Sequence, residues 1–338
     1  MTTLSQIAGA VALARRRYYT DRPESRRRLT KPVISVGNLT VGGSGKTPLV
    51  AYLAARLLQR GWRPSILSRG YGRAYVADGV VVVSDGRTVL ADLARSGDEP
   101  LMLARQLPGV AVLVSPNRHL AGRLAEARFG CDVPLLDDGF QHFVLERDID
   151  LLVVGPDDVS RPLVLPFGRL REPLEVARAA DAVLWTGEDD AADAAARLGV
   201  AHGFQLTHEA GAFTSAPFGG PLPAPGDRVI AMAAIARPER FVAALAGSGF
   251  NVASTMFLRD HHRYTPADLA RAEREMRDAN AVCIVTTEKD MVRLLPLRPL
   301  PFPLAWRRLT TRVEPAETFD AWLDARLARG TARQEPAA

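Results

Sequence analysis

Cysteine is nearly absent from this chain of 338 residues: Cys131 and Cys283 are the only two. They stand far apart and outside any spacing that tetrahedral metal sites use. A disulfide framework and a structural zinc site are therefore excluded, and buried reduced thiols in a cytosolic protein are expected. Aromatic residues are also sparse, at 7%. They do not interleave with basic residues, which argues against a platform for single-stranded nucleic acid. No apolar run approaches the ~20 residues that a membrane-spanning helix needs. A secretory signal is not expected either, because Met1-Thr2-Thr3 carries no basic side chain and the arginines follow the apolar stretch rather than precede it.

What is present is ordinary for a globular protein. Hydrophobic residues make up 47% and charged residues 24%, and the length allows two units with sizeable cores. The net charge of +5 favours an anionic partner such as a nucleotide, nucleic acid or lipid. At the N-terminus Leu4, Ile7, Val11, Ala14 and Tyr18 recur at helical spacing. Arg15, Arg16, Arg17, Arg22, Arg26, Arg27, Arg28 and Lys31 lie beside and beyond them. Such a stripe next to a cationic segment suits a helix lying on an anionic membrane surface. It equally suits a helix docked by that stripe onto the protein itself.

Through the first half, short apolar runs alternate with helical patterns, which predicts a parallel sheet covered by helices. Strands are expected at 32–37, 64–68, 79–84, 110–114, 133–136, 150–154 and 181–185, and helices at 47–60, 88–94, 99–107, 118–128 and 188–198. The run Pro217-Phe218-Gly219-Gly220-Pro221-Leu222-Pro223-Ala224-Pro225-Gly226 breaks the pattern. It places a linker at 203–226, between a core unit at 31–202 and a smaller α/β unit at 227–330. That smaller unit has strands at 228–234 and 281–286 and helices at 238–246 and 266–278. Residues 1–30 form the basic helical segment, and a loose tail is expected at 331–338, its looseness beginning near Gly330.

The most specific local signal follows the first strand. Pro32-Val33-Ile34-Ser35-Val36-Gly37 runs into Thr40-Val41-Gly42-Gly43-Ser44-Gly45-Lys46-Thr47 and then a helical pattern. Glycines let backbone N–H groups curl around phosphate oxygens, and the helix N-terminus adds partial positive charge. Lys46 would reach the β- and γ-phosphates of a nucleotide, and the Thr47 hydroxyl would hold Mg²⁺. The usual pattern asks for Gly where Thr40 stands.

Acids that serve such a loop belong at the end of a neighbouring strand. Asp137 and Asp138, in Val133-Pro134-Leu135-Leu136-Asp137-Asp138-Gly139-Phe140-Gln141-His142, meet that requirement and could hold Mg²⁺. Asp98, in Ser96-Gly97-Asp98-Glu99-Pro100, reads locally as a helix N-cap. Arg169 and Arg171 share a loop that could clamp phosphate or simply be solvated. His261 and His262 have no further ligand at zinc spacing, so proton handling suits them better than metal binding.

Taken together these strings resemble the tetraacyldisaccharide 4′-kinases, the lipid A 4′-kinases of Gram-negative bacteria. The resemblance runs in order over nearly the whole chain. It includes Val36-Gly37-Asn38-Leu39-Thr40-Val41-Gly42-Gly43-Ser44-Gly45-Lys46-Thr47-Pro48, Ser68-Arg69-Gly70-Tyr71-Gly72, Gly97-Asp98-Glu99-Pro100, Asp137-Asp138-Gly139-Phe140-Gln141-His142, Gly168-Arg169-Leu170-Arg171-Glu172-Pro173, Arg237-Pro238-Glu239-Arg240-Phe241, Asp260-His261-His262 and Thr287-Glu288-Lys289-Asp290. Leu258-Arg259 departs from the Phe-Pro that relatives often carry before the Asp-His-His string.

The resemblance implies a P-loop NTPase-like α/β/α sandwich joined by a strand linker to a second, smaller α/β/α unit. It implies ATP- and Mg²⁺-dependent phosphorylation of the 4′-hydroxyl of a tetraacyldisaccharide 1-phosphate, giving lipid IVA. It makes Asp98 the catalytic base, supported by His261 or, failing that, His262. Glu99, Asp137, Asp138 and Thr47 would manage Mg²⁺. Asn38, Arg69, Arg118, Gln141, His142, Arg171, Glu172 and His262 would contact substrate or phosphate. The implied partners are the acylated glucosamine disaccharide 1-phosphate and the anionic inner-membrane surface, at its cytoplasmic face, for a monomeric, peripheral or monotopic enzyme without nucleic acid. The rivals are a P-loop GTPase or metallochaperone and a membrane-bound ATP switch. Thr287-Glu288-Lys289-Asp290 does not match the Asn-Lys-x-Asp of guanine readers, and Val41 stands where the switch proteins place a second Lys.

Overall fold

In a computed structural model, which describes residues 3–75 and 78–332, the chain is built on one continuous sheet of twelve strands. The first half contains α1 (Thr3–Asp21), β1 (Ile34–Asn38), α2 (Lys46–Gln59), β2 (Pro64–Ser68), β3 (Val81–Asp85), α3 (Leu93–Ser96), α4 (Asp98–Gln106), β4 (Ala111–Val114), α5 (Arg118–Phe129), β5 (Val133–Asp137), β6 (Ile149–Val154), α6 (Pro156–Ser160), β7 (Ala182–Trp185) and α7 (Ala191–Arg197). The second contains β8 (Gly203–Thr214), β9 (Arg228–Ala233), α8 (Pro238–Gly247), β10 (Asn251–Phe257), α9 (Pro266–Asp278), β11 (Cys283–Thr287), α10 (Glu288–Leu294), β12 (Leu304–Glu314) and α11 (Ala316–Ala332).

The strand order is β10-β9-β11-β12-β8-β7-β6-β1-β5-β2-β4-β3. Neighbours run parallel except at two places: β3 against β4 at one edge, and β8 against β12 in the middle. The parallel strands are short, apolar and buried on both faces. This is why they read as continuous β-branched runs in the sequence. β1 is buried at every position. Ile34 and Val36 face a core with Leu49, Leu53 and Leu57 of α2, while Val33, just ahead of β1, packs with Leu67 and Ala121 on the opposite face.

The segment expected as a helix over 88–94 is mostly a turn that bridges back to β3, and only its end enters α3. The linker expected at 203–226 contains a strand: 203–214 is β8, hydrogen-bonded to β7 on one side and to β12 on the other. The unit expected at 227–330 does not hold together in space. Phe319, Leu323 and Leu327 of α11 join the core around α2, and Arg56 of α2 is ion-paired with Asp320. Gly330 is buried against Pro32 and α11 continues to Ala332; the rest of the expected tail, 333–338, lies outside the described residues. Both cysteines are buried and free, and burial pushes the Cys131 thiol up to about 12.

Helix α1 lies against the first half by its polar and small side. Ser5 Oγ donates to the Val164 carbonyl at 2.9 Å, and Gly9 packs against Pro173. The apolar stripe points the other way: Leu4, Ile7, Val11 and Tyr18 are 60%, 53%, 64% and 47% exposed. A helix docked on the protein by its apolar stripe is therefore ruled out. No helix among the described residues is long and apolar enough to cross a membrane.

One close approach positions the site. A Cβ at Gly37 would sit 2.4 Å from Phe140 Cβ and 2.8 Å from its backbone nitrogen. The absence of a side chain at the end of β1 is what lets the loop after β5 fold across it. Gly37→Ala is expected to lower stability by about 1–3 kcal/mol through overpacking, which chemical denaturation measures directly. An unchanged midpoint would show that the loop can shift at no cost.

Candidate active site

The turn from β1 into α2 is capped by Gly45 at φ 87°, with Gly42 at φ 98°. Both are left-handed conformations that glycine adopts without strain. At Gly45 a side chain is excluded twice over, since its Cβ would lie 2.2 Å from Nε2 of His208, on β8. His208 Nδ1 lies 3.1 Å from Thr311 Oγ1 of β12, and its Nε2 is buried without a partner. Burial alone holds this imidazole below its ordinary pKa, and hence neutral.

Lys46 Nζ lies 2.9 Å from Asn38 Oδ1 and 3.6 Å from Asp138 Oδ1. Arg171 organises the same corner. Its Nη1 donates to Asp138 Oδ2 (2.9 Å) and Gln141 Oε1 (3.1 Å). Its Nη2 donates to Asp138 Oδ1 (3.0 Å) and Asn38 Oδ1 (2.9 Å), and its Nε to the Thr40 carbonyl (3.1 Å). All three guanidinium nitrogens are thus engaged within the protein. These bonds hold Asp138 and the phosphate loop in register, and Arg171 also lines the cleft. Arg169 braces the same loop, donating to the Val41 carbonyl at 3.0 Å.

Glu172 is 2% exposed and receives Arg16 of α1 at 3.0 and 2.8 Å, with Gln141 at 3.2 Å. It ties α1 to the wall of the cleft. His262 Nε2 sits 2.9 Å from Asp268 Oδ2, in the capping box of α9, and faces away from the main cleft.

Asp137, at the end of β5, is 4% exposed. Burial first, then the charges of Glu99 and Asp138, push its carboxyl up to about 7. Asp138 sits at φ 59°; burial pulls it upward, but Lys46 and Arg171 outweigh this and hold it below the usual carboxylate range. Arg118, the first residue of α5, is 5% exposed with Nε unpartnered, and burial together with Arg69 lowers it to about 10. Arg69 is exposed and Thr47 buried, and both line the cleft. His142 is lowered to about 4 by burial and by Arg118, Arg147, Arg15 and Arg69.

Across the cleft α4 of the first half and α10 of the second share a dense ionic cluster. Asp98 opens α4, but the N-cap is Gly97, at φ 84°, so the local reading of Asp98 as a cap is replaced. Asp98 Oδ1 accepts the Glu99 backbone N–H at 2.9 Å. Oδ2 meets His261 Nδ1 at 2.9 Å and Arg293 Nε at 2.8 Å, with Arg293 Nη2 against the same oxygen. Arg293 is itself 4% exposed and donates to Asp290 Oδ1 at 2.8 Å and the Ala234 carbonyl at 2.6 Å. Lys289 Nζ lies 2.9 Å from Glu99 Oε1 and 3.4 Å from His261 Nε2. His261 stands at φ 60°, with its own N–H on Asp260 Oδ1 at 2.9 Å and Tyr71 edge-on at 4.9 Å.

The sequence reading passed over Lys289 and Arg293. The signal was present: Thr287 caps α10, and Lys289 and Arg293 recur four apart on one face of that helix. The phosphate loop, Glu99, Asp137 and Asp138, and His261 of the Asp98–His261 pair open on one cleft of about 2030 Å³. Single-ligand pockets usually measure roughly 300–1,000 Å³, so this cleft has room for two substrates.

Comparison with known proteins agrees with this geometry. Residues 1–328 match the family model for tetraacyldisaccharide-1-P 4′-kinase. The chain is 40% identical over 315 residues to the tetraacyldisaccharide 4′-kinase of Syntrophus aciditrophicus, covering 87% of this chain and 83% of that one. It is 38% identical over 338 residues to the enzyme of the same description from Koribacter versatilis, covering 96% and 97%. Among solved structures it superposes, with a TM-score of 0.77 and 30% identity over 96% of this chain and 97% of the other, on the "apo" form of LpxK from Aquifex aeolicus in complex with ATP.

The Asp98–Arg293 pair gives a pH prediction. Burial would raise the Asp98 carboxyl, but the His261 hydrogen bond and the charges of Lys289 and Arg293 hold it well below the usual range. A lowered carboxylate stabilises the fold above its unfolded pKa of about 3.9 and loses that contribution as pH falls toward the folded value. Arg293→Met should cost about 3–5 kcal/mol at pH 7, because it leaves a buried carboxylate unpaired. The gap to wild type in denaturant titrations should narrow as pH drops from 5 toward 2. A gap independent of pH would mean that the loss is one of packing.

Proposed function

The chain belongs to the tetraacyldisaccharide-1-P 4′-kinase family, and on that premise we propose how its cleft carries out the reaction. The enzyme is an ATP-dependent kinase of lipid A biosynthesis that phosphorylates the 4′-hydroxyl of a tetraacyldisaccharide 1-phosphate, giving lipid IVA. The observation that carries the site assignment is the placing of Lys46 and the acids Asp137 and Asp138 in one cleft with Glu99 and His261, His261 being hydrogen-bonded to Asp98.

The backbone from Thr40 to Thr47 cradles the ATP phosphates, and Lys46 offsets their charge. Arg118 and Arg69 face the phosphoryl group being transferred; the unpartnered Nε of Arg118 supports this. Asn38 and Gln141 hold the corner through Lys46 and Arg171, and His142 meets the acceptor as a neutral ring. The Asp98–His261 pair takes the proton of the 4′-hydroxyl as the new bond forms.

The donor set fits Mg²⁺. Burial first, and then the neighbouring charges of Glu99 and Asp138, push the Asp137 carboxyl up, and a divalent cation would favour its charged form and relieve the repulsion. Mg²⁺ beside a nucleotide takes protein oxygens together with phosphates and water. Thr47, Glu99, Asp137 and Asp138 are the residues to hold it, and when bound it neutralises charge on the phosphate oxygens. The nucleotide unit is residues 31–202 completed by α11, and the smaller unit runs from 227 to the end of β12.

A four-chain lipid stays in its membrane, so the enzyme works at that surface. Helix α1 lies in the interface by its exposed stripe, with Arg15 and Arg17 toward anionic headgroups, at the cytoplasmic face where ATP is available, as a monomer.

Two measurements test this reading. Lys46→Ala should abolish nearly all transfer from labelled ATP to the acylated disaccharide while the melting temperature holds; near-normal turnover in the folded variant would overturn the role of the phosphate loop. Reversing Arg15 and Arg17 to Glu should weaken sedimentation with anionic vesicles by about tenfold or more, at roughly 1 kcal/mol per basic residue near the surface. Arg16 is left alone because Glu172 holds it. Unchanged vesicle binding would remove α1 as the anchor.

A further inference from the structure

We propose that the loop from Arg161 to Gly168 is a second membrane-inserting element, with Leu163 and Phe167 entering the lipid surface beside the stripe of α1. The proposal rests on the kinase reading above, which makes a lipid embedded in a bilayer the acceptor. It extends the membrane contact from one helix to a helix and a loop.

Position carries the first part. Phe167 and Leu163 are 57% and 40% exposed. The hydrogen bond from Ser5 Oγ to the Val164 carbonyl joins this loop to α1, next to Leu4 on the helix and next to Leu163 on the loop. Gly9 approaches Val164 from the same helix. Leu4, Ile7, Val11, Leu163 and Phe167 are thus the exposed apolar residues of one helix and of the loop docked to it. Isolated apolar side chains are ordinary on a protein surface, but a group of them on neighbouring elements marks an interaction site.

Rigidity carries the second. These side chains are not outside because the loop is slack. The Leu170 N–H donates to the Leu163 carbonyl at 3.0 Å, the Leu165 N–H to the Leu170 carbonyl at 2.9 Å and the Gly168 N–H to the Val164 carbonyl at 3.2 Å. A Cβ at Gly168 would run into the Leu163 carbonyl, so the turn closes only because that position is glycine. Within this hairpin Val164 and Leu170 fill the core, and Leu163 and Phe167 are left out of it. Two large apolar side chains held in water are unfavourable until a partner covers them.

Charge selects the partner. Arg161 opens the loop, Arg15 and Arg17 follow the stripe on α1, and all three are exposed. The acids nearby in sequence are held by the protein. Asp157 lies 3.4 Å from Arg237, Asp158 accepts the Gly155 N–H at 3.0 Å, and Glu172 is paired with Arg16. An apolar surface rimmed by exposed arginines suits an anionic bilayer better than a second copy of a chain whose net charge is +5.

The other end of the hairpin meets the phosphate loop. Thr40 and Leu170 form a β-bridge, the Val41 N–H donates to the Arg169 carbonyl at 2.9 Å, and Arg169 Nη2 donates back to the Val41 carbonyl. Insertion of Phe167 therefore fixes the height of the phosphate loop above the lipid surface that holds the acceptor.

A fluorophore at position 167 tests this in the full chain. Cys131 and Cys283 are buried, so an environment-sensitive thiol label on Phe167→Cys reports that position. On vesicles of phosphatidylglycerol and phosphatidylethanolamine its emission should shift to the blue, be quenched by nitroxide-bearing acyl chains and be shielded from iodide. Leu163→Ser combined with Phe167→Ser should weaken vesicle co-sedimentation by about tenfold at an unchanged melting temperature. The KM for vesicle-borne acceptor should rise, while turnover of detergent-dispersed acceptor holds. A label that stays unshifted and open to iodide on vesicle-bound protein overturns the proposal, as does co-sedimentation of the double variant within about twofold of wild type. A shift that grows with protein concentration in the absence of vesicles assigns the surface to a second copy and likewise overturns it. Wild-type protein that binds no vesicles removes the membrane reading of α1 together with this one. Wild-type protein that binds vesicles but turns over no detergent-dispersed acceptor strikes the kinase reading instead.

Discussion

The ion pair between Asp98 and Arg293 is the interaction on which the second face of the cleft depends. The two side chains are 6% and 3% exposed and lie 195 residues apart in sequence. Two charges removed from water are costly unless their remaining hydrogen-bonding capacity is filled. Here it is filled, by the Glu99 N–H and His261 on one side and by Asp290 and the Ala234 carbonyl on the other. That closed set joins α4 of the first half to α10 of the second. It therefore fixes the imidazole and the relation between the two halves with the same atoms.

How much of this could be read from the chain follows from which forces act locally. The buried parallel strands were legible because burial on both faces leaves mostly apolar, often β-branched residues in runs of four to six. β12 was not, since Leu304–Glu314 mixes Trp306 and Val313 with Arg307, Arg308 and Arg312, as a half-exposed antiparallel strand does. α11 escaped notice because its packing partner is α2, more than 250 residues earlier. The phosphate loop was legible because its glycines, Lys46 and Thr47 fall within six consecutive positions, 42–47. The bonding of Arg171, Glu172 and His262 was not. A charged side chain near a site looks the same in sequence whether or not another side chain holds it, and only the fold shows that Asp138, Arg16 and Asp268 do so.

The antiparallel pair β8 and β12 gives the sheet its unusual continuity. Two parallel α/β arrays would otherwise be tethered only by coil; instead a hydrogen-bonded ladder runs between them, and His208 on that ladder rests against Gly45 at the phosphate loop. The joint between the halves and the start of α2 are therefore in van der Waals contact, so neither can shift without the other.

The Arg16–Glu172 bridge has a practical corollary for anyone preparing this protein. Helix α1 invites removal, because its exposed leucine, isoleucine and valine make the chain sticky. Trimming it would strip the charged partner from a carboxylate that is 2% exposed and would uncover the ring of Phe140, over which the Arg16 guanidinium stacks at 4.5 Å. Phe140 sits directly on β1. A well-behaved soluble form is better made by repainting Leu4, Ile7 and Val11 with polar side chains while the inner face of the helix, from Ser5 to Arg16, stays as it is.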